Sequence, residues 1–225
     1  MKVHIFYRHY NTQGTDNKNR PSWFDYEKCY DNLINSINLN KSVEINIVYD
    51  GKEDNWIKRK DYNTFYEIKA GEDMESFWET IKIAHKDSSI VDGDLIYFLE
   101  NDYMHVEGWV GKVLELFQTY TGLDYVSLYD HNDKYLLPMY DTLTSKVFTT
   151  PSHHWRTTPS TCGSFITTKQ RLSEDFDILS TMRGDHNKWL WLNKNRSRFV
   201  FSPLPGLSTH CMDSLLSPTI KWNEI

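Results

Sequence analysis

Two acidic side chains follow the most apolar stretch of the sequence. The run Asp94–Leu99 (DLIYFL) leads directly into Glu100, Asn101 and Asp102. A short continuous apolar run predicts a β-strand that is buried on both faces. Ligands of parallel α/β sheets bind beyond the carboxyl ends of the strands. Glu100 and Asp102 could there offer oxygen ligands to a Mg²⁺ or Mn²⁺ ion bridging two phosphates, although a solvated acidic turn has the same pattern.

A third candidate metal ligand is His210, in Ser208-Thr209-His210-Cys211 near the carboxyl end. Imidazole is a borderline ligand that suits Mn²⁺ better than Mg²⁺. The neighbouring Cys211 raises zinc as an option, but it lacks a C-x-x-C partner. A lone loop histidine is usually just hydrogen-bonded, so its ligand role gains weight only beside the acidic pair.

The elements that must position these residues alternate between two hydrophobic periods. Strands alternating with helices over residues 1–130 predict βαβ units and a largely parallel sheet. Residues 146–168 predict short strands and long loops. We therefore expect one compact α/β domain over residues 1–225, with a nucleotide-binding half (1–130) and a more variable half (131–225). Strands are predicted at Val3–Tyr7, Val43–Tyr49, Phe65–Ile68, Asp94–Leu99, Tyr125–Leu128 and Arg198–Phe201, and helices over 26–37, 74–84, 109–120 and 185–194.

Composition excludes several classes of protein. The 225 residues include 25 Lys+Arg and 31 Asp+Glu, a formal net charge of −6, which argues against nucleic acid as the main partner. The amino terminus lacks a signal-peptide pattern, and the run Leu95–Leu99 is far shorter than the roughly 20 residues of a membrane span. Cys29, Cys162 and Cys211 fit free thiols in a reducing compartment. We expect a soluble, cytoplasmic protein without a membrane span.

The order of the elements resembles the nucleotide-sugar half of GT-A-fold glycosyltransferases, most closely their large inverting family. That family runs strand, helix, strand ending in Asp, strand, helix, and a strand leading into a D-x-D motif. This chain has VHIFYR, a helix from about Phe24, INIVYDG, TFYEIKAG, a helix from about Asp73, and DLIYFLEND. Glu100 stands where the family usually has the first Asp.

The resemblance implies a fold and an activity. The fold would be a single GT-A-like domain, a Rossmann-like three-layer α/β/α arrangement with a mostly parallel mixed central sheet. The activity would be metal-dependent inverting transfer of a sugar from a nucleotide-diphosphate donor, most simply a UDP-sugar, to a hydroxyl acceptor such as a glycan. The half 131–225 would then bind the acceptor.

The resemblance also implies a donor site. Asp102 and His210 would hold Mn²⁺ or Mg²⁺, since many metal-dependent members supply a late histidine. Asp50, at the end of the second strand, would contact the base, unless it is only a turn residue before Gly51. The plain alternative for Arg8 is a surface salt bridge. The nucleotide-sugar-binding residues so implied are Tyr7, Arg8, Asp50, Glu100, Asn101 and Asp102.

Inverting transfer further needs a general base that takes the acceptor's hydroxyl proton. Asp185, in RGDHNKW, resembles the family's acidic residue in that region, and its plain alternative is a helix N-cap. His186 is the reserve candidate, followed by Asp175 and Asp177.

A sugar and acceptor pocket would be formed by the segment between these sites. Trp155 would stack on a sugar ring, and Arg156 would meet a phosphate or hydroxyl group. Gly163 would allow a close approach of the backbone. A β segment that is partly core and partly surface is the alternative for this region.

Two other functions remain open on the sequence. One is a non-catalytic carbohydrate-binding module that uses exposed aromatic side chains. The other is a sugar nucleotidyltransferase, which usually has a glycine-rich phosphate loop near the first strand. The segment Asn11–Thr15 contains one glycine, Gly14, so we rank this function lower.

Overall fold

The computed structural model describes residues 1–10, 17–37, 40–51 and 55–225, so the segment Asn11–Thr15 lies outside the described residues. In these ranges the strands are β1 (Val3–Tyr10), β2 (Val43–Asp50), β3 (Thr64–Ile68), β4 (Leu95–Glu100), β5 (Tyr103–His105), β6 (Tyr125–Val126), β7 (Val147–Thr149), β8 (His154–Thr158), β9 (Phe165–Thr168), β10 (Val200–Leu204) and β11 (Ser208–His210). The helices there are α1 (Tyr26–Ser36), α2 (Asp73–Lys86), α3 (Trp109–Thr119), α4 (Asp133–Leu136), α5 (Lys169–Glu174), α6 (Phe176–Leu179) and α7 (Asp185–Arg196).

Nine of the described strands form one sheet, in the order β3-β2-β1-β4-β9-β6-β10-β8-β7. The first four are parallel to one another, and β9 runs antiparallel between β4 and β6. Beyond β9, β10 runs parallel to β6. Strand β8 runs antiparallel to β10, and β7 runs antiparallel to β8. The sheet draws strands from both halves of the chain. The predicted α/β class with a mixed central sheet is confirmed.

Helices cover both faces of this sheet. Side chains alternate along each strand, so apolar strands present a hydrophobic surface on both faces. Tyr7 of β1 lies in a core with Leu33 of α1. Phe6, the residue before Tyr7 on β1, lies in a second core with Phe77 of α2 and Trp189 of α7. The three-layer α/β/α arrangement is therefore confirmed.

The strand β4 carries the predicted acidic residues to the edge of the sheet. Leu95–Leu99 are all buried, Glu100 ends the strand, and Asn101 and Asp102 form the turn into β5. Strand β5 pairs antiparallel with β11, which sets Tyr103 opposite His210. This short two-stranded sheet brings the carboxyl-terminal histidine to Asp102.

The second half of the chain differs in part from the sequence prediction. The last predicted strand begins two residues later and runs to Leu204 as β10. Residues 169–179 form α5 and α6, which their pattern did not indicate because each helix is only one or two turns long. None of the described helices combines the length and apolar composition that a membrane span requires.

Candidate functional site

The predicted metal-binding pair, Asp102 and His210, meets at the edge of the sheet. His210 Nε2 lies 2.9 Å from Asp102 Oδ2, although 108 positions separate the two residues in sequence. The ring of Tyr103 stacks on the imidazole, with centroids 5.1 Å apart and an interplanar angle of 3°. Stacking and strand pairing together fix the plane of the His210 ring.

Two basic residues that sequence reasoning missed also contact Asp102. Lys18 Nζ lies 3.0 Å and Arg20 Nη2 lies 2.9 Å from the same Oδ2 atom. Arg20 Nη1 donates to the carbonyl oxygen of Cys211 at 2.7 Å, and its guanidinium carbon lies 4.4 Å from the Phe24 ring centroid. Arg20 therefore joins the turn after β4 to the end of β11. No spacing or pattern links positions 18 and 20 to position 102.

These contacts decide the charge state of Asp102. Burial alone would raise the pKa of this carboxyl, but its interactions with His210, Lys18 and Arg20 outweigh burial and hold the pKa well below its usual range. Asp102 is therefore an anion at neutral pH. Its second oxygen, Oδ1, is buried and has no hydrogen-bond partner within the described residues.

The pair has the donor chemistry of a divalent-cation site. Ligand atoms on neighbouring positions of one ion, each at about 2.1 Å, lie about 3 Å apart, and Oδ2 and Nε2 are 2.9 Å apart. Asp102 Oδ1 is an unsatisfied buried acceptor as well. The described residues hold no group of three His, Cys, Asp or Glu that could bind a metal ion. Asp102 and His210 would supply two ligands of such an ion, and the others would have to come from water and diphosphate oxygens. Lys18 and Arg20 already contact the same Oδ2 atom.

Glu100 lies in a different environment from Asp102. Arg8 Nη2 donates to its Oε1 at 2.8 Å, and Ser164 Oγ donates to its Oε2 at 3.2 Å. Gly163 lies against the carboxyl group, where an added Cβ would be 3.3 Å from Cδ. Burial raises the pKa of Glu100 in spite of the charge on Arg8. The predicted close backbone approach at Gly163 is therefore an approach to Glu100.

Arg8 is a buried ion-pair residue and not a surface salt bridge. Its side chain is 8% exposed, and besides Glu100 it donates to the Asp73 carboxylate at the start of α2. It thus ties the carboxyl ends of β1 and β4 to that helix.

Of the remaining predicted donor-site residues, Asp50 and Tyr7 are buried and Asn101 is partly exposed. Asp50 Oδ2 accepts the backbone N–H of Gly71 at 2.9 Å, so it anchors the loop before α2. Tyr7 is 1% exposed, and its hydroxyl donates to the Asn101 carbonyl at 3.3 Å. The structure thus places the Tyr7 ring in the core and not along a pocket wall. Asn101 Nδ2 lies 3.1 Å from Nδ1 of His9. Burial of His9 lowers its pKa to about 4.

Asp185 and His210 line the same cleft, which has a volume of about 540 Å³ and also includes His186. Gly184 is the N-cap of α7 and Asp185 is its first residue, so Asp185 does not occupy the N-cap position. Its carboxylate side chain is 35% exposed and accepts from Lys188 Nζ at 3.2 Å. The Lys188 side chain is fully buried and packs on the Phe77 ring, 4.3 Å from its centroid.

The structure corrects the expectations for Trp155 and Arg156. Trp155 is fully buried, and its Nε1 donates to Thr150 at 3.3 Å, so its ring offers no face to a sugar. Arg156 is also buried and donates to Asp130 at 2.7 Å. Large amphipathic side chains serve cores and ligand sites alike, so their type in the sequence does not separate the two.

The reserve carboxylates have structural roles. Asp175 is fully buried and accepts from the Tyr125 hydroxyl at 2.6 Å. Asp177 pairs with Arg196 on the surface, at 2.7 Å. Neither lines the cleft that holds Asp185, whereas the reserve candidate His186 does.

Comparison with solved structures defines the fold class. A protein described as a nucleotide-diphospho-sugar transferase, from Desulfovibrio desulfuricans G20, is similar at 10% identity with a TM-score of 0.52, over 90% of this chain and 80% of that one. Residues 1–349 of TarS from S. aureus are similar at 13% identity and 0.51, over 90% of this chain and 58% of that one. The chain has a GT-A-like fold, as the sequence resemblance predicted.

A synthetase that was solved with a bound nucleotide is also similar in fold. CMP:2-keto-3-deoxy-manno-octonic acid synthetase, in a complex with CTP, is similar at 12% identity with a TM-score of 0.53, over 92% of both chains. Identities this low establish the fold alone. No family model and no curated protein sequence matches the chain.

Proposed function

We propose that this protein is a metal-dependent inverting glycosyltransferase that uses a nucleotide-diphosphate sugar, in the first instance a UDP-sugar, and a hydroxyl acceptor such as a glycan. One observation carries the proposal: His210 contacts Asp102 at 2.9 Å and shares a cleft with Asp185. A diphosphate bound at the first pair and a hydroxyl at Asp185 would thus lie on two sides of one sugar. The GT-A-like fold supports this arrangement.

On the donor side, Asp102 and His210 are the residues that would hold Mn²⁺ or Mg²⁺. Such an ion, when bound, is a Lewis acid that stabilises the charge of a leaving diphosphate. Lys18, with a side chain that is 47% exposed, adds positive charge beside the same position. Glu100, fixed by Arg8 and Ser164, presents a carboxyl group to the donor's hydroxyl groups.

On the acceptor side, Asp185 is the proposed general base. The acceptor oxygen bonds to the anomeric carbon while the bond from that carbon to the diphosphate oxygen breaks. The hydroxyl proton passes to a carboxylate oxygen of Asp185, and the nucleoside diphosphate leaves with the electron pair. Attack opposite the leaving group inverts the anomeric configuration. Lys188 holds the Asp185 carboxylate in place through the ion pair.

A donor screen tests the proposal. The protein is incubated with Mn²⁺ and a panel of UDP-, GDP- and TDP-sugars, and the released nucleoside diphosphate is quantified. We expect release from one nucleotide class, and its loss in Asp102→Asn. Asp177→Asn, which alters a carboxylate on the surface, is the matched control and should retain release. Full activity of Asp102→Asn would contradict the proposal.

A sugar nucleotidyltransferase is the second candidate, because the synthetase complexed with CTP matches over 92% of both chains. The two reactions release different products. A nucleotidyltransferase releases pyrophosphate from a nucleoside triphosphate and a sugar, whereas the proposed transferase releases a nucleoside diphosphate from a nucleotide sugar. Pyrophosphate release from CTP and a sugar acid, with no turnover of any nucleotide sugar, would favour the second candidate.

A further inference from the structure

The wall of the cleft that contains α4 has an inverted burial pattern. Lys134 is only 6% exposed, whereas Leu136 is 62% and Met139 is 63% exposed. Leu137 and Tyr135, between them, are 44% and 52% exposed. Surface segments normally keep their lysines in water and their leucines inside. This segment instead buries its lysine and exposes its leucine and methionine side chains.

The buried lysine is satisfied within the segment itself. Lys134 Nζ donates to Asp133 Oδ2 at 3.1 Å and to the Tyr140 hydroxyl at 3.0 Å. It also lies 4.2 Å from the centroid of the Tyr140 ring. The cation of this wall is therefore turned inward and paired, and aliphatic side chains are left to face outward.

The exposed apolar surface continues into the cleft. Leu137 and Met139 line it together with Met212 and Leu215, and the same cleft contains Asp185. Exposed apolar side chains that adjoin a cleft are typical of binding surfaces. Its continuity with the cleft places that surface beside the proposed base.

We propose that the acceptor is an amphiphile, a hydroxyl compound with an aliphatic chain that lies on Leu137 and Met139. The inference rests on the proposed function, because it places the acceptor hydroxyl at Asp185. Leu137 and Met139 form no hydrogen bonds, so saccharide hydroxyl groups placed against these two side chains would gain no partner there. A chain of methylene groups instead gains free energy from burial on the same surface.

Chain length is the variable that tests this inference. Binding of methyl, butyl and octyl β-glucoside, each below its micelle concentration, is measured by calorimetry, and sugar transfer to each is assayed with the active donor. We expect affinity to rise by up to about fourfold for each methylene group that is buried. Transfer should follow the same order through a falling KM. A parallel assay with octyl glucoside held in phosphatidylcholine vesicles shows whether the chain is taken from solution or from a bilayer.

The variant Leu137→Asn/Met139→Gln tests the surface itself. Both side chains are exposed, so the fold is expected to persist, and the chain-length dependence should disappear. Val91→Asn is the matched control, because Val91 is 61% exposed and precedes the amino end of β4, whereas Glu100 ends this strand at its carboxyl end. This variant should keep the dependence of binding on chain length. Equal binding of methyl and octyl glucoside, or a dependence that survives in the double variant, would overturn the inference. Chain-dependent binding without transfer from any donor would instead refute the proposed function.

Discussion

The ammonium group of Lys188 lies 3.2 Å from Oδ1 of Asp185, and the lysine side chain is fully buried while the carboxylate side chain is 35% exposed. The ion pair thus has one end in the core and the other at the cleft. The Phe77 ring packs against the buried ammonium group, with its centroid 4.3 Å from Lys188 Nζ. An anchored carboxylate that reaches a cleft has the geometry of a preorganised base.

Asp185→Asn should lower kcat by about 10²–10⁴, the usual contribution of a general base, while donor affinity is retained. It should also lower the melting temperature more than Lys188→Met does. The reason is that Asp185→Asn leaves a buried ammonium without its counter-ion, whereas Lys188→Met removes the buried charge itself. Steady-state kinetics and thermal unfolding of both variants check this. Unchanged kcat in Asp185→Asn would exclude Asp185 as the base.

Gly163→Ala should disturb Glu100. The added methyl group would lie 3.3 Å from Glu100 Cδ, so the carboxyl group, which is held by Arg8 and Ser164, must shift by a few tenths of an ångström. We expect the affinity for the donor to fall by about tenfold, in line with an overpacking cost of about 1–3 kcal/mol. Donor affinity is measured by calorimetry.

Gly111→Ala is the control for that variant. Gly111 lies within α3, and an added Cβ would meet nothing within 4 Å. Alanine is the better helix former, so Gly111→Ala should raise the free energy of unfolding by about 1 kcal/mol and leave donor affinity unchanged. Equal donor affinity in both alanine variants would mean that Glu100 does not contact the donor.

Stability should fall steeply in mild acid. Burial lowers the pKa of His9 to about 4 and that of His105 to about 3, and it lowers the pKa of His131 well below its usual value. The unfolded chain takes up these protons near pH 6.5, whereas the folded chain does not. Three such groups give a slope of about 4 kcal/mol per pH unit near pH 5. The raised pKa values of Glu100, Asp124 and Asp130 act in the opposite direction and reduce this slope.

Chemical denaturation between pH 7 and 4.5 measures this slope. His105→Gln should reduce it by about 1.4 kcal/mol per pH unit, because one buried neutral histidine is removed. His154→Gln, which replaces a histidine exposed at the surface, serves as the control for the substitution. A free energy of unfolding that stays constant down to pH 5 would contradict the account.

The strands that bear the site were predictable from the sequence for a physical reason. The strand β4 is buried on both faces and therefore reads as an unbroken apolar run, so its end at Glu100 and Asp102 is visible. The contact between Asp102 and His210 was expected only through the resemblance. The pairing that creates it joins two strands of three residues each, too short to show a period.

Other parts of the site could not be read from the sequence. Periodicity tells which side chains share a face, but not whether that face meets another layer or a ligand, and Trp155 shows the difference. The contact of Arg20 with Asp102 depends on how a loop folds back onto the sheet. Lys188, by contrast, stands three residues after Asp185 on one helix, and that spacing could have indicated the ion pair.

The most direct test of the central claim is a calorimetric titration of UDP with and without Mn²⁺, on the wild type and on His210→Gln. Mn²⁺ should tighten UDP binding by at least about tenfold in the wild type, because a cation held by Asp102 and His210 would add a bond to the diphosphate. Little or no tightening is expected in His210→Gln. Binding of UDP that is the same with and without Mn²⁺ in the wild type would contradict the claim.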